Sequence, residues 1–288
     1  MFRDFIAGKK NVDLHIHTKF SDGTHTVQEI LETAFQRKLK AVSITDHDCI
    51  DAYPFAQQRG CELGVEVIPG VELSSEIGGV DIHILGYYLD IHNTSLIKKL
   101  GELKESRYLR AEKIVKNLNR QGIDLRFETV LAIAGNAAIG RPHIAAALLK
   151  EELVYSFREA FEKYIGYESP AYVKKLTIQP HEVFQLIRQA GGVPVLAHPG
   201  VTRIDDRISQ FVQDGLMGIE AFHAEHTAEQ QRVYLLWCKK HDLAYTGGSD
   251  FHNSNQNKSE IGHVKVPYGA VESLKAKLAV ISQGAITP

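Results

Sequence analysis

The chain reads as an α/β barrel interrupted by a helical insertion. Three observations predict this. Apolar, strand-like runs alternate with amphipathic helical stretches, the pattern of βαβ units. Seven of those runs carry His, Asp or Glu at or near their ends. From about residue 93 to residue 173 the alternation stops, and one helical pattern follows another.

The first run, Val12 to Thr18, holds His15 and His17. Alternate strand residues share a face, so the two imidazoles point together. Val27 to Lys38 has a helical stripe of Val27, Ile30, Leu31, Ala34 and Phe35 behind Thr26 as its cap. Ala41 to Thr45 runs into Asp46-His47-Asp48, and Ala52 to Leu63 is a second helix. Val67 to Val71 runs into Glu72; Gly78-Gly79 reads as a hairpin turn before Val80 to Tyr88, which carries His83. Four helices are then expected in a row: Ser95 to Gln121, Phe127 to Ala134, Arg141 to Glu152 and Ser156 to Tyr164. The rhythm resumes with a helix from Pro180 to Ala190, a strand ending at His198, and a helix from Asp205 to Gln213. A strand ending at His223, a helix from Ala228 to His241, a strand ending at Asp250-Phe251-His252 and a helix from Ala270 to Ser282 complete the chain. The expected organisation is a barrel in two parts, residues 1–92 and 176–288, with residues 93–175 as an inserted lid or substrate domain. If the barrel closes, its first and last strands are neighbours, and His15, His17, Asp250 and His252 converge.

Composition narrows the function classes. The net charge of −2 gives no generally basic surface for coating nucleic acid. Three scattered cysteines fit neither a disulfide framework nor a thiolate zinc site. Met1 to Phe5 lacks a signal-peptide core, and no apolar run spans a membrane. A cytoplasmic protein with no membrane partner and no obligate protein partner is expected. The unusual number is 14 histidines, most of them near strand ends.

A lone histidine near a strand end is usually structural. Two in register, with Asp22 on a glycine turn just downstream, favour ligation. Asp46 and Asp48 fit a helix N-cap, whereas His47 reads as functional. Glu72 is a carboxylate able to bridge two cations. His83, inside an apolar strand, would ordinarily be a hydrogen-bonded core residue. Arg141 at a helix start opposes the dipole, so an anion nearby would explain it. His143 beside it reads equally as part of an ordinary helix start. His223 and His226 divide evenly between a leaving-group site and the surface, and Arg107 and Arg110 lie on a face that is solvated by default.

As an ordered set, these motifs closely resemble the PHP (polymerase and histidinol phosphatase) family. The set is His15-x-His17, Ser21-Asp22-Gly23, Thr45-Asp46-His47-Asp48, Pro69-Gly70-Val71-Glu72, Ile82-His83-Ile84-Leu85-Gly86, Ala197-His198-Pro199 and Ser249-Asp250-x-His252. Gly140-Arg141-Pro142-His143 and Phe222-His223-x-x-His226-Thr227 resemble one branch, the bacterial nucleoside 3′,5′-bisphosphate phosphatases and 5′-to-3′ exoribonucleases (RNase AM). Cys49 to Ala52 and Ala224 depart from the branch pattern.

The resemblance implies a distorted (β/α)7 barrel of the PHP type and two or three divalent ions, manganese first, with zinc or iron as alternatives. It places His15, His17, Glu72 and Asp250 on one ion. Glu72, His83 and His198 would hold a second, and Asp22, His47 and His252 a third. Asp22 and His47 would also face the substrate. The implied activity is phosphoester hydrolysis by a metal-bridging hydroxide at the Glu72–Asp250 centre. The substrate would be the 3′-phosphate of a nucleoside 3′,5′-bisphosphate or the 5′-phosphorylated end of a short RNA. Arg107, Arg110, Arg141, His143 and His223 are the candidate substrate contacts, with His226 a candidate proton donor to the leaving oxygen. Histidinol-phosphate phosphatase is the alternative within the class. A non-catalytic module binding RNA or a polymerase is the alternative outside it, and loss of ligands would be its signature. A carboxylated-lysine hydrolase is disfavoured because Glu72 fills the bridging role.

Overall fold

The computed structural model describes residues 11–253 and 260–284. Met1 to Phe5, read above for a targeting signal, lie outside the described residues. Eight strands form one sheet in the order β7-β6-β5-β4-β3-β2-β1-β8. They are β1 (Asn11–Ile16), β2 (Ala41–Ile44), β3 (Glu66–Ile77), β4 (Val80–Tyr87), β5 (Val193–Leu196), β6 (Gly218–His223), β7 (Ala244–Gly248) and β8 (Val266–Pro267). The sheet curls into a nearly closed barrel because the end of β7 returns to β1. There the Asp250 N–H donates to His15 O at 2.9 Å, and the His17 N–H donates to Phe251 O at 2.9 Å. Gly248 permits this approach: a Cβ there would sit 2.4 Å from the His15 nitrogen.

The pairing is parallel where helices connect the strands and antiparallel around β4, as the hairpin reading of Gly78-Gly79 implies for β3 and β4. β1–β2–β3 and β5–β6–β7 are parallel, but β4 is antiparallel to both β3 and β5. The turn dictates it. Gly78 and Gly79 have φ of 59° and 84°, so the chain reverses in two residues, too few for the crossover a parallel pair needs. The short β8, absent from the seven expected runs, pairs antiparallel with β1.

Helices cover the outside. In α1 (Val27–Gln36), Thr26 Oγ1 caps the Glu29 N–H and the Glu29 carboxylate caps the Thr26 N–H; Val27, Ile30, Leu31 and Ala34 face inward. It stops before the expected Lys38, which turns left-handed at φ 59°. α2 (Tyr53–Leu63) completes that side. Between β4 and β5 run α3 (Thr94–Arg120), α4 (Phe127–Ala134), α5 (Arg141–Lys150) and α6 (Phe157–Glu159), the last passing into a π-helical turn, Ala160–Ile165. One continuous helix was expected over that last stretch. These helices share a core of their own, including Ile114, Leu118, Val130, Leu148 and Ile165. The main core lies instead around β3–β6 and α7 (Pro180–Gln189). The remaining helices are α8 (Pro199–Thr202), α9 (Ile208–Asp214), α10 (Ala228–Lys240) and α11 (Gly269–Gly284). Among the described residues no helix is long and apolar enough to cross a membrane.

Candidate metal and substrate site

The strand ends meet at Glu72, which is 1% exposed. Its Oε2 lies 3.3 Å from His15 Nε2, 3.1 Å from His17 Nε2 and 3.0 Å from His47 Nδ1. Its Oε1 lies 2.9 Å from His83 Nδ1 and 3.2 Å from His198 Nε2. Asp250 Oδ1 approaches His15 Nε2 at 3.3 Å and His17 Nε2 at 3.2 Å. Asp22 faces His252 Nε2 at 3.4 Å and His47 Nε2 at 3.8 Å. Three groups emerge: His15, His17, Glu72 and Asp250; His47, Glu72 and His83; and His17, Asp22, His47 and His252. His198 joins the second through Glu72, and its Nε2 is 3.3 Å from His83 Nδ1. All nine residues expected as ligands are therefore in one cluster.

The cluster's chemistry fits divalent ions. His15 Nε2, His17 Nε2, His47 Nδ1, Asp22 Oδ1 and Glu72 Oε2 are buried with no hydrogen-bond partner. So many convergent polar atoms left unpaired in a dry site would be strongly destabilising, and cations would satisfy them. Burial opposes ionisation of Glu72, yet the imidazoles of His83, His47 and His15 hold its carboxyl well below the ordinary range. Asp22 is held down likewise against burial, by His252 and His47. Burial pushes His83 down to about 4. Ionised carboxylates and a neutral imidazole are the forms that coordinate metal. Mixed nitrogen and oxygen donors suit manganese, iron or zinc.

Three acids behind the cluster have roles that the sequence reading did not assign. Glu220 of β6 is fully buried, receives His15 Nδ1 on Oε1 at 3.0 Å, and accepts the His198 N–H on Oε2 at 2.8 Å. Asp46 accepts the Thr18 N–H at 2.7 Å, the Thr18 hydroxyl at 2.6 Å and the Ser21 hydroxyl at 2.6 Å, which shapes the loop that presents Asp22. Asp48 accepts Arg107 Nε at 2.8 Å and the Ser74 N–H at 3.0 Å. The N-cap reading of Asp46 and Asp48 is thus corrected. α2 begins only at Tyr53, and Ala52 precedes it without a side-chain cap. Asp48, at φ 50°, is a backbone anomaly that only coordinates reveal.

The insert places three arginines beside the cluster. Arg107 Nη2 and Nε are committed to Asp48, and Nη2 also reaches Ser74 Oγ at 3.1 Å. Arg110 Nε donates to Val173 O at 2.7 Å. Arg141 Nη1 reaches Ile165 O at 3.3 Å, and its guanidinium lies 4.4 Å from the centre of the Tyr167 ring. Among the described residues, neither Arg110 nor Arg141 has a carboxylate in ion-pair contact. Burial first, and then the neighbouring Arg141, bring Arg110 down to about 10. Lys175 stands nearby, 3.3 Å from Asp81, whose other oxygen accepts the Tyr167 hydroxyl at 2.6 Å.

The remaining candidates separate. His143 Nδ1 accepts the Gly140 N–H at 3.0 Å, closing the start of α5. His223 Nδ1 accepts the Glu225 N–H at 3.2 Å, which leaves the proton on Nε2, and that atom lies 3.5 Å from Asp250 Oδ2 without a hydrogen-bond partner. His226 is placed otherwise than expected. Its Nδ1 donates to Ala221 O at 3.0 Å, its Nε2 accepts the Gly200 N–H at 3.2 Å, and burial lowers its pKa. A neutral ring with both nitrogens engaged has no free proton to offer, whereas the Nε2 of His223 faces Asp250 at the cluster. On the Asp22–Asp250–His252 side the cluster opens into a cavity of about 1290 Å³ between the barrel loops and the insert.

The sequence profile of the PHP domain matches residues 13–167. A 3′,5′-nucleoside bisphosphate phosphatase of Chromobacterium violaceum is 31% identical over 261 residues, covering 88% of this chain and 92% of the relative. A 5′-3′ exoribonuclease of Haemophilus influenzae is 30% identical over 248 residues, covering 84% and 90%. A solved structure from Bifidobacterium adolescentis, described as a candidate metal-dependent phosphoesterase, is similar with a TM-score of 0.86 at 29% identity. The match covers 93% of this chain and 96% of that one.

Proposed function

The chain belongs to the PHP domain family of metal-dependent phosphoesterases and is a phosphoric ester hydrolase, and we propose that it removes the 3′-phosphate of nucleoside 3′,5′-bisphosphates and acts on 5′-phosphorylated RNA ends. The observation that carries this reading is the pairing of Arg110 with Arg141 beside the Glu72 cluster. Two neighbouring guanidiniums, partly withdrawn from water and without a carboxylate, call for an anion. The reacting phosphate lies at the cluster, so the anion at the arginines is a second phosphate on the same substrate.

The nine residues of the Glu72 cluster would hold divalent ions, which would supply charge neutralisation and a water of lowered pKa. The chain does the rest. Arg141 and Arg110 bind the second phosphate, with Lys175 beside them. The Asp48 clamp fixes Arg107 at the boundary between that phosphate and the cluster. His223 offers its Nε2 proton to the reacting phosphoryl group or its leaving oxygen. The insert, residues 93–175, supplies the arginines and walls the site as a substrate domain.

A phosphate-release screen with added Mn²⁺ tests this. Nucleoside 3′,5′-bisphosphates or 5′-phosphorylated short RNAs should exceed simple monophosphates in kcat/KM. Faster turnover of histidinol phosphate than of any nucleotide would overturn it.

A further inference from the structure

His198 reaches Glu72 from a turn and not from a strand, since β5 ends at Leu196 and α8 begins at Pro199. Its backbone is left-handed, φ 28° and ψ 55°, a conformation that a residue with a Cβ holds only where its surroundings impose it. On the strand side the grip is Glu220, which accepts the His198 N–H. On the far side both backbone groups of Gly200 are taken by side chains. The Gly200 N–H donates to His226 Nε2 at 3.2 Å, and Gly200 O accepts Gln230 Nε2 at 3.3 Å. Each of these side chains is itself held. His226 Nδ1 donates to Ala221 O on β6 at 3.0 Å, and Gln230 Oε1 accepts the Thr227 N–H at 2.8 Å. Glycine permits this approach: a Cβ on residue 200 would lie 2.7 Å from Gln230 Nε2 and 2.8 Å from His226 Cδ2.

We infer that His226 is a positioning residue: with Gln230 it clamps Gly200, and the clamp holds the strained turn that aims His198 at the cluster. All three grips on the turn come from β6 and the segment after it, so the backbone around His198 is fixed on both sides from one part of the fold. Without the clamp the turn is free to relax toward ordinary φ and ψ, and the imidazole of His198 then points elsewhere for part of the time. Apparent metal affinity falls in proportion to the fraction of molecules in the competent arrangement.

This role and a proton-donor role make opposite demands on the side chain. An acid must carry a proton it can give up near neutral pH. The clamp needs only an acceptor where Nε2 stands, opposite the Gly200 N–H. The amide oxygen of a glutamine falls near the position of a histidine Nε2 and accepts a hydrogen bond, but the amide has no proton to give in catalysis. Glutamine at this position therefore separates the two roles.

The test titrates the metal-free full chain with Mn²⁺ by calorimetry and follows p-nitrophenyl phosphate turnover of the loaded protein in parallel. His226→Ala should weaken Mn²⁺ binding by about 10–100-fold, the usual cost of removing a residue that orients a metal ligand. His226→Gln should recover most of the affinity and most of the turnover. Gly200→Ala leaves His226 in place but pushes the clamp apart, and should weaken Mn²⁺ binding as His226→Ala does. Should His226→Ala fail to fold by circular dichroism, the contrast between His226→Gln and Gly200→Ala carries the same test. Full Mn²⁺ affinity with turnover lost in both His226 variants would make His226 the proton donor and overturn the inference. Wild-type affinity in His226→Ala or in Gly200→Ala would show that the turn holds itself. An equal loss of affinity in His226→Gln and His226→Ala would remove the acceptor at Nε2 as the cause, which also overturns it.

Discussion

The buried carboxylate of Glu220 and the imidazole of His15 face each other at 3.0 Å, Oε1 to Nδ1, across 205 residues of sequence. The bond fixes which nitrogen of His15 carries the proton and leaves Nε2 directed at Glu72 and Asp250. Glu220 also holds the backbone of His198 through its other oxygen, so one side chain orients ligands of two ion positions.

Glu220→Gln keeps the shape but replaces a charged acceptor with a neutral amide. Metal affinity should fall by about 10–100-fold, as for other carboxylates behind metal-bound histidines. Isothermal titration of the metal-free protein with Mn²⁺ measures it. Unchanged affinity would show that His15 is oriented by its strand alone.

His47 shares one group with Asp22 and His252 and another with Glu72 and His83. His47→Ala should lower metal content by about one ion per chain if three sites fill. Elemental analysis of the purified variant decides this, and full metal content would make His47 a substrate contact.

Arg141→Lys tests the second-phosphate pocket. Lysine keeps the charge but not the paired donors of a guanidinium. A lost charge-assisted bond of about 1.5–3 kcal/mol predicts a loss of about tenfold or more in kcat/KM on a 3′,5′-bisphosphate. On p-nitrophenyl phosphate the loss should be much smaller. Equal losses would place Arg141 at the reacting phosphate.

The clamp between Asp48 and Arg107 has a stability signature. Burial opposes ionisation of Asp48, but Arg107 and the Ser74 N–H outweigh it and hold the carboxyl below its ordinary 3.8. A depressed folded-state value gives stability that is present above the unfolded value and lost as pH falls through the folded one. Asp48→Asn leaves a buried guanidinium uncompensated and should cost about 3–5 kcal/mol near neutral pH. Urea unfolding should show that deficit at pH 7 and see it shrink only below the usual aspartate range. A constant deficit down to strong acid would remove the ion pair as its cause.

Much of this site was legible in the chain because local periodicity carries direction. His15 and His17 are brought together by the strand period at the end of β1. The strand expected to end at Asp250-Phe251-His252 stops instead at Gly248, and Asp250 turns at φ 52°. The convergence of Asp250 and His252 is therefore a loop geometry that the period does not give. Gly78-Gly79 announced its hairpin. The antiparallel pairing of β4 with β5 did not follow from it, since that neighbour arrives only after the insert. Glu220 was unreadable for a related reason. It lies within an apolar strand, and its partner is fixed only when β6 and β1 face one another in the closed barrel. Asp48 and Arg107 are likewise 59 residues apart, and no pattern couples them. His226 looked available because sequence shows a ring but not its two occupied nitrogens.

The most direct test of the central claim is paired metal analysis and turnover of Glu72→Ala, since that carboxylate touches five imidazoles and joins two ion positions. The variant should keep its fold by circular dichroism, because stability in such barrels resides mostly away from the catalytic face. It should lose bound metal and lose phosphoester turnover by orders of magnitude. Near-normal turnover with full metal content would contradict the account.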